Sequence, residues 1–279
     1  MSRQEARIAL HAHWREYLME ACELAVFMVS ACGFGTLLFH PDSPVVQVFP
    51  SIFLRRVLMG IAMAATSILI IRSPFGRQSG AHFNPAITLT FFWLGKVRGW
   101  DAVFYVIAQF AGGLAGVLVA AQLLGHTLAH PAVRYVVTVP GTRGMATAFI
   151  AELAMATILM SVVLKTSNNR RLAPYTSYFV GVLVVLYIVF FSSISGFSIN
   201  PARTASSGVV AGIWTGVWIY LTAPLLGMIV AAELYLRNYG IERVYCAKLH
   251  HDGDQPCPFV CRFMALQSTT PPPDVSNKA

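Results

Sequence analysis

Charged side chains are scarce in this chain of 279 residues. Asp, Glu, Lys and Arg together make up 11% of it, whereas hydrophobic residues make up 56%. A soluble globular domain usually carries about twice that share of charge. The deficit therefore excludes an ordinary soluble domain and indicates an integral membrane protein.

Acidic residues are the scarcer of the two charged classes, with 12 against 20 basic residues and a net charge of +8. A basic excess can indicate nucleic acid binding, but here the basic residues flank apolar runs and do not cluster on one periodic face. We therefore expect no nucleic acid partner.

Cysteine is scarce as well, with five residues, of which Cys22 and Cys32 lie in the first apolar run. This number and placement indicate no disulfide framework. A cleaved signal peptide is not expected either, because that first run, residues 17–39, is too long for a signal-peptide core and follows a polar segment.

Long apolar runs are the feature that is abundant. Six segments separated by polar breaks are long enough to cross a bilayer as helices. They cover about residues 17–39, 50–71, 100–124, 145–164, 175–191 and 213–236.

A short motif occurs twice. Residues 79–86 (SGAHFNPA) and 195–202 (SGFSINPA) share Ser, Gly, Asn, Pro and Ala at matching places. In each copy a glycine opens an extended segment, an asparagine can cap a helix, and a proline takes the first helical position. The apolar stretch that follows is about ten residues, or roughly 15 Å of helix against an apolar core of about 30 Å. Two half-helices beginning near the membrane centre would together complete one span.

The predicted fold is an all-α membrane protein with six transmembrane helices and two re-entrant half-helices in two inverted repeats. Each motif follows the second span of a three-span unit, and an odd number of crossings turns the second unit over. Most basic residues fall on the side that holds both termini, so both termini are expected to be cytoplasmic. Small residues at Gly112 and Gly116, and again at Gly212 and Gly216, are expected to allow close helix packing.

With Asn84-Pro85-Ala86, Asn200-Pro201-Ala202-Arg203, six spans and inverted halves, the chain resembles the aquaporin and aquaglyceroporin family, the major intrinsic proteins, in a bacterial-like form. The resemblance implies a passive water channel, not an enzyme, that excludes protons and ions and admits small neutral solutes. It also implies a homotetramer in the cell membrane, with one pore in each subunit. The domains would be a cytoplasmic segment 1–14, a channel domain 15–237 with repeats at about 15–124 and 145–237, and a cytoplasmic tail 238–279.

The resemblance also assigns the pore residues. It places Asn84 and Asn200 at a central constriction. An arginine at the depth of Arg203 is a functional candidate on energetic grounds alone. The implied selectivity filter is Met59, Ile188, Phe197 and Arg203, with Ala64 as the alternative to Met59.

Three buried polar residues are expected to support the loops. The resemblance implies that Glu20 and Glu152 accept hydrogen bonds from the backbone of the two re-entrant loops. His82 either holds its loop by hydrogen bonds or senses pH. Glu23 has no role in this scheme.

The tail contains residues that bind metals. Thiols and imidazoles together suit zinc or an iron–sulfur centre, and the alternative is a tail packed on the surface without metal. The tail lies outside the repeats, so it is expected to be dispensable for permeation, and the chain after about Ala265 is expected to be disordered. The candidate ligands are Cys246, His250, His251, Cys257 and Cys261.

Two rival functions remain. Within the same class, the protein would be a glycerol or urea facilitator. In a different class, it would be a membrane redox protein, which needs ligands inside the spans, where only His82 is close.

Overall fold

The structure is a computed structural model that describes residues 2–251 and 256–268. These ranges are helical and contain no β-strand. The helices are α1 (Arg3–Phe39), α2 (Pro44–Val48), α3 (Ile52–Arg72), α4 (Pro74–Ser79), α5 (Pro85–Trp93), α6 (Gly99–Leu124), α7 (His126–Ala129), α8 (Met145–Ser167), α9 (Thr176–Ser195), α10 (Pro201–Ala211), α11 (Val217–Tyr239) and α12 (Phe263–Ser268).

Within the described residues, six helices are long and apolar enough to cross a membrane: α1, α3, α6, α8, α9 and α11. Their order matches the predicted spans, and most ends differ by a few residues. The largest difference is at the start of α1, which begins at Arg3 because Ser2 and Glu5 form a reciprocal capping box. A kink at His13 separates this opening part from the spanning part.

The two half-helices form as predicted. Helix α5 has 9 residues and α10 has 11, and each begins with a proline in its first turn. The side-chain oxygen of Asn84 accepts from the backbone N–H of Ala86, and that of Asn200 accepts from Ala202 and Arg203. Both asparagines therefore act as N-caps.

The helices pair in the same way in both repeats. Helix α1 packs on α6 in the first repeat, α8 packs on α11 in the second, and α3 packs on α9 between them. A Cβ atom at Gly112 would overlap the backbone of Ala21, and one at Gly227 would overlap the carbonyl of Leu153. Glycine is thus required where each repeat brings its two helices together.

The expectation for the second glycine pair was wrong. Gly212 and Gly216 have φ of 67° each and lie at the end of α10 and the start of α11. They supply left-handed turn conformations, which glycine adopts without steric cost, and do not bring two helices together.

The tail folds back onto the helices. Between α11 and α12 the described residues form no regular element except the turn Ile241–Arg243. The Leu249 N–H donates to the Gly80 carbonyl (3.1 Å), and the Val260 N–H donates to the Lys96 carbonyl (2.9 Å). Disorder was predicted after about Ala265, but the chain is helical as far as Ser268, where α12 ends. Residues 269–279 lie outside the described ranges.

Candidate functional site: a cavity between two re-entrant loops

The two re-entrant loops, residues 80–83 and 196–199, have matching and unusual backbones. Gly80 (φ 104°) and Gly196 (φ 81°) adopt positive φ, and so do four residues with side chains. Positive φ costs of order 1–3 kcal/mol for each such residue, so the surrounding structure must hold the loops in place. The four residues are Ala81 (56°), Phe83 (29°), Phe197 (51°) and Ile199 (46°).

A buried carboxylate holds the first loop. Glu20 accepts from the backbone N–H of His82 (2.8 Å) and of Phe83 (2.6 Å). The side-chain amide of Gln109 also donates to Glu20 (2.7 Å). Since Glu20 is fully buried, these three donors replace the water that it loses.

A second carboxylate holds the second loop in the same way. Glu152 accepts from the backbone N–H of Ser198 (3.0 Å) and of Ile199 (2.6 Å), and from the Ser195 hydroxyl (2.7 Å). The two loops therefore meet the cavity from opposite repeats with the same internal support.

The two asparagines join the loops to each other. The Asn84 amide donates to the Ile199 carbonyl, and the Asn200 amide donates to the Phe83 carbonyl, at 2.8 Å each. An amide NH₂ has two N–H donors, so each asparagine keeps one for other partners. Both residues line the central cavity.

This cavity has a volume of about 620 Å³ and is lined from both repeats. All four predicted filter residues line it, namely Met59, Ile188, Phe197 and Arg203. Ala64 does not line it, and lies near Gly181 of α9 instead. The structure thus places Met59 on the path, and the role of these four as a filter stays a prediction.

Arg203 is one of three arginines that line this cavity, with Arg56 and Arg134, and it belongs to the predicted filter. Its Nη1 atom is buried and has no hydrogen-bond partner among the described residues. A buried guanidinium N–H without a protein partner is available to a molecule in the cavity.

His82 is fully buried and engaged on both sides of its ring. Its Nε2 lies 2.8 Å from the Ala247 carbonyl, and its Nδ1 lies 3.0 Å from the Thr88 hydroxyl. A carbonyl only accepts, so Nε2 carries the proton and Nδ1 is the acceptor. Because both ring nitrogens already have hydrogen-bond partners, His82 is not available as the metal ligand that a membrane redox protein would require.

Three contacts to the loops were not anticipated from the sequence. Glu23 accepts from the Ser79 hydroxyl (2.7 Å), which precedes the first loop. The Tyr105 hydroxyl donates to the Ser79 carbonyl (2.6 Å), and the Tyr220 hydroxyl donates to the Ser195 carbonyl (2.5 Å). The two tyrosines occupy similar places in the last span of each repeat. This correspondence is the sequence feature from which their contacts could have been predicted.

The tail also reaches the cavity. Leu249 lines it and is 2% exposed. Its N–H donates to Gly80, which follows α4 and so lies near the end of α3 at Arg72. Phe39 ends α1 and Arg56 lies near the start of α3, so Leu249 lies at the opposite mouth of the cavity. The tail therefore reaches the cavity although it lies outside the repeats in sequence, and its dispensability for permeation stays a prediction.

Four of the five candidate metal ligands come together in the tail. Within the described residues, the ligand atoms of Cys246, His251, Cys257 and Cys261 lie within 4.8 Å of one another, and His250 is not part of this group. Hydrogen bonds among the three thiols lower the pKa of Cys261 and raise that of Cys246, so Cys261 takes the thiolate form most readily of the two.

Comparisons with known proteins agree with this geometry. A family profile described as "Major intrinsic protein" matches residues 7–235. The chain is similar to "Aquaporin NIP1-2" of Oryza sativa subsp. japonica, with 30% identity over 224 residues that cover 75% of this chain and 67% of that protein. It is also similar to "Aquaporin Z" of Photorhabdus laumondii, with 26% identity over 226 residues, covering 76% and 93%.

Other relatives match over a shorter stretch. "Probable aquaporin NIP-type" of Nicotiana alata is 31% identical over 170 residues, which cover 60% of this chain and 61% of that protein, so less than two thirds of its length is matched. Among solved structures, the aquaglyceroporin from Plasmodium falciparum has a TM-score of 0.65 at 20% identity, covering 80% of this chain and 95% of that one. That likeness is one of fold.

Proposed function

The chain belongs to the major intrinsic protein family, and from this premise we propose that it is a passive channel for water that also passes small neutral solutes. The observation that carries the proposal is one cavity of about 620 Å³ lined at once by Asn84, Asn200 and Arg203. Asparagine N–H groups and the Arg203 guanidinium offer hydrogen-bond donors to a passing oxygen along an otherwise largely apolar path.

Proton and ion exclusion follows from the two half-helices. Asn84 and Asn200, the N-caps of α5 and α10, line the cavity, so the N-terminal ends of both helices, each with about +0.5 elementary charge, face it. This positive region repels cations in a low-dielectric channel. Two fixed donors at the same place turn a water molecule so that it accepts from both, which interrupts proton transfer along the file.

Solute passage follows from the filter. Met59, Ile188 and Phe197 supply apolar wall in the cavity where Arg203 supplies a strong donor. A hydroxyl can bind at Arg203 while carbon atoms lie against Phe197 and Ile188. This arrangement supports leakage of glycerol or a similar solute beside water, and it is the reason to keep a glycerol or urea facilitator as the second candidate.

We extend the proposal to the setting of the channel. The protein spans the membrane several times, and the basic residues near α1, the loop after α8 and the tail favour a cytoplasmic location for both termini in the cell membrane. Apolar side chains exposed on the outward faces suit lipid and neighbouring copies, in keeping with a homotetramer. Native mass measurement of the purified protein should give four times 30.5 kDa.

Stopped-flow measurements on proteoliposomes test the proposal. Full-length protein and the Leu249→Ala variant are compared with empty vesicles under water, glycerol and urea gradients, because Leu249 narrows one mouth. We expect rapid water flux, slower glycerol flux, and a pH gradient that persists while water equilibrates. Water flux equal to that of empty vesicles for both proteins, or protein-dependent collapse of the pH gradient, would contradict the proposal.

A further inference from the structure

The tail holds a compact set of metal-binding atoms outside the channel wall. Cys246 Sγ lies 3.5 Å from Cys257 Sγ, and Cys261 Sγ lies 3.3 Å from His251 Nε2. All four ligand atoms lie within 4.8 Å of one another. Around a tetrahedral ion with metal–sulfur bonds of about 2.3 Å, ligand atoms are separated by roughly 3.7 Å. The observed separations, from 3.3 Å to at most 4.8 Å, lie on both sides of this tetrahedral value.

The chemistry of the four ligand atoms indicates which ion they bind. Three thiols with one imidazole form a closed four-ligand set of the kind that structural zinc sites use. The three cysteines are free thiols, and the His251 ring stacks on Phe263 at 3.9 Å, which orients the imidazole. The set has no fifth protein donor among the described residues, as expected for a structural site and not a catalytic one.

Basic residues lie beside the cluster. A zinc ion with three thiolates carries a net charge of −1. Lys96 is buried and its carbonyl accepts from the Val260 N–H (2.9 Å), next to Cys261 in the chain, and buried Lys248 donates to the Pro256 carbonyl (3.1 Å) beside Cys257. A thiolate-bound ion would add to Glu242 as a counter-charge for Lys96.

We propose that Cys246, His251, Cys257 and Cys261 bind one zinc ion, and that this ion fastens the tail across the mouth of the channel at Leu249. The second half of the statement rests on the proposed channel function.

The tail residues between the ligands make the contacts with the channel. The Ala247 carbonyl accepts from His82, and the Leu249 N–H donates to Gly80, both in the first re-entrant loop. Phe259 stacks on the His82 ring, with 5.1 Å between centroids and 6° between planes. A Cβ atom at Gly80 would meet the Phe259 ring at 2.5 Å, so the tail packs directly against the loop backbone.

An ion would hold the part of this segment that the main core does not. Between Gly240 and α12 the described residues form no helix or strand beyond one short turn; Val244, Ala247, Leu249 and Phe259 pack into the main core, whereas Tyr245, Phe263 and Leu266 form a small cluster of their own. So small a cluster is commonly supplemented by a metal or a disulfide. Cys246 precedes Leu249 by three residues, and the other three ligands follow Leu249. An ion bound by all four would therefore hold the chain on both sides of Leu249.

Metal analysis of the full-length protein, purified without a polyhistidine tag or chelators, tests the site. We expect about one zinc per chain. Loss of zinc is expected in His251→Ala and Cys257→Ser, and full zinc content in the matched controls His250→Ala and Cys22→Ser. Cobalt substitution should give the intense visible bands of tetrahedral thiolate coordination. Background zinc in the wild type, equal zinc in His250→Ala and His251→Ala, or stoichiometric iron with its own visible absorption would overturn the zinc assignment.

Hydrogen exchange tests the fastening without relying on transport. The Leu249 and Val260 N–H groups should exchange severalfold faster in His251→Ala and in chelator-treated protein, and at the wild-type rate in His250→Ala. Unchanged exchange after zinc loss would overturn the fastening role.

Water flux tests the effect on the channel. Leu249→Ala and His251→Ala should conduct severalfold more water per protein than the wild type, and His250→Ala should not. Equal flux in all four proteins, with the wild type conducting, would overturn closure by the tail. If none of them conducts while zinc binding and exchange behave as expected, the channel function fails and the zinc site stands.

Discussion

At the scale of single residues, the site depends on donors whose partners lie in the other repeat. Asn84 and Asn200 each give one N–H to the opposite loop and keep one for the cavity. Arg203 adds a buried Nη1 that has no partner among the described residues. The same positions with apolar side chains would leave a cavity without anything to orient water.

Ile188→His should narrow the filter and add a second donor opposite Arg203. We expect glycerol flux to fall severalfold and water flux to change by less than about twofold, because a polar, tighter ring admits water more readily than a carbon chain. The measurement is the ratio of glycerol to water flux in vesicles, compared with that of the wild type, which carries the same tail.

Ile188→Val is the matched control for that substitution, since it keeps an apolar wall and should not lower the ratio. An equal fall of both fluxes in Ile188→His would show that Ile188 does not take part in selection between solutes.

At the scale of elements, close helix contacts position the half-helices. Helix α10 packs on α6, and α6 packs on α1, so the approach at Gly112 and Gly116 sets where Asn200 lies. The contact leaves no room for a side chain on one helix face.

Gly112→Ala should destabilise the bundle by about 1–3 kcal/mol, because the new Cβ meets the backbone of Ala21, which cannot rotate away. Gly33→Ala is the control, since a Cβ at that helical position has no neighbour within 4 Å and alanine favours the helix by about 0.5–1 kcal/mol. Thermal unfolding in detergent, followed by size-exclusion chromatography, should give a lower midpoint for Gly112→Ala and an unchanged or higher one for Gly33→Ala. Equal midpoints would contradict the packing argument.

At the scale of the whole molecule, the two repeats give the chain two chemically different ends. One end holds the N-terminal part of α1, the loop after α8 and the tail, and the Tyr245 N–H donates to Asn168 (2.7 Å), which joins the tail to that loop. The other end holds α2 and α7. The excess of basic residues at the first end predicts that it faces the cytoplasm.

Cysteines introduced at Arg171 and at His126 should therefore label from opposite sides of the membrane. Both residues are exposed, and neither carries the tail contact that Asn168 makes. An impermeant thiol reagent applied to intact cells should label His126→Cys and spare Arg171→Cys until the cells are opened, with the unsubstituted protein as the background. Labelling of Arg171→Cys in intact cells would reverse the orientation.

The sequence by itself determined the architecture, because its signals are local. Apolar runs of the required length predict spans, and Asn-Pro after a glycine predicts a capped half-helix, since both depend on residues close together in the chain. The repeat of residues 79–86 at 195–202 then gave the inverted arrangement, and the family resemblance it supported carried the pore residues with it.

Only the tertiary structure decided where the tail lies and which residues it contacts. The contacts of Ala247 with His82 and of Leu249 with Gly80 join residues far apart in sequence, and no local pattern reports such a pairing. Chain spacing likewise did not distinguish His250 from His251, because side-chain direction in an irregular segment depends on what it packs against, and only His251 stacks on Phe263 beside Cys261. The positions of Met59 and Ala64 likewise depend on tertiary packing. The contact of α3 with α9 fixes how α3 is rotated about its axis, and this rotation directs Met59 to the cavity and Ala64 toward Gly181.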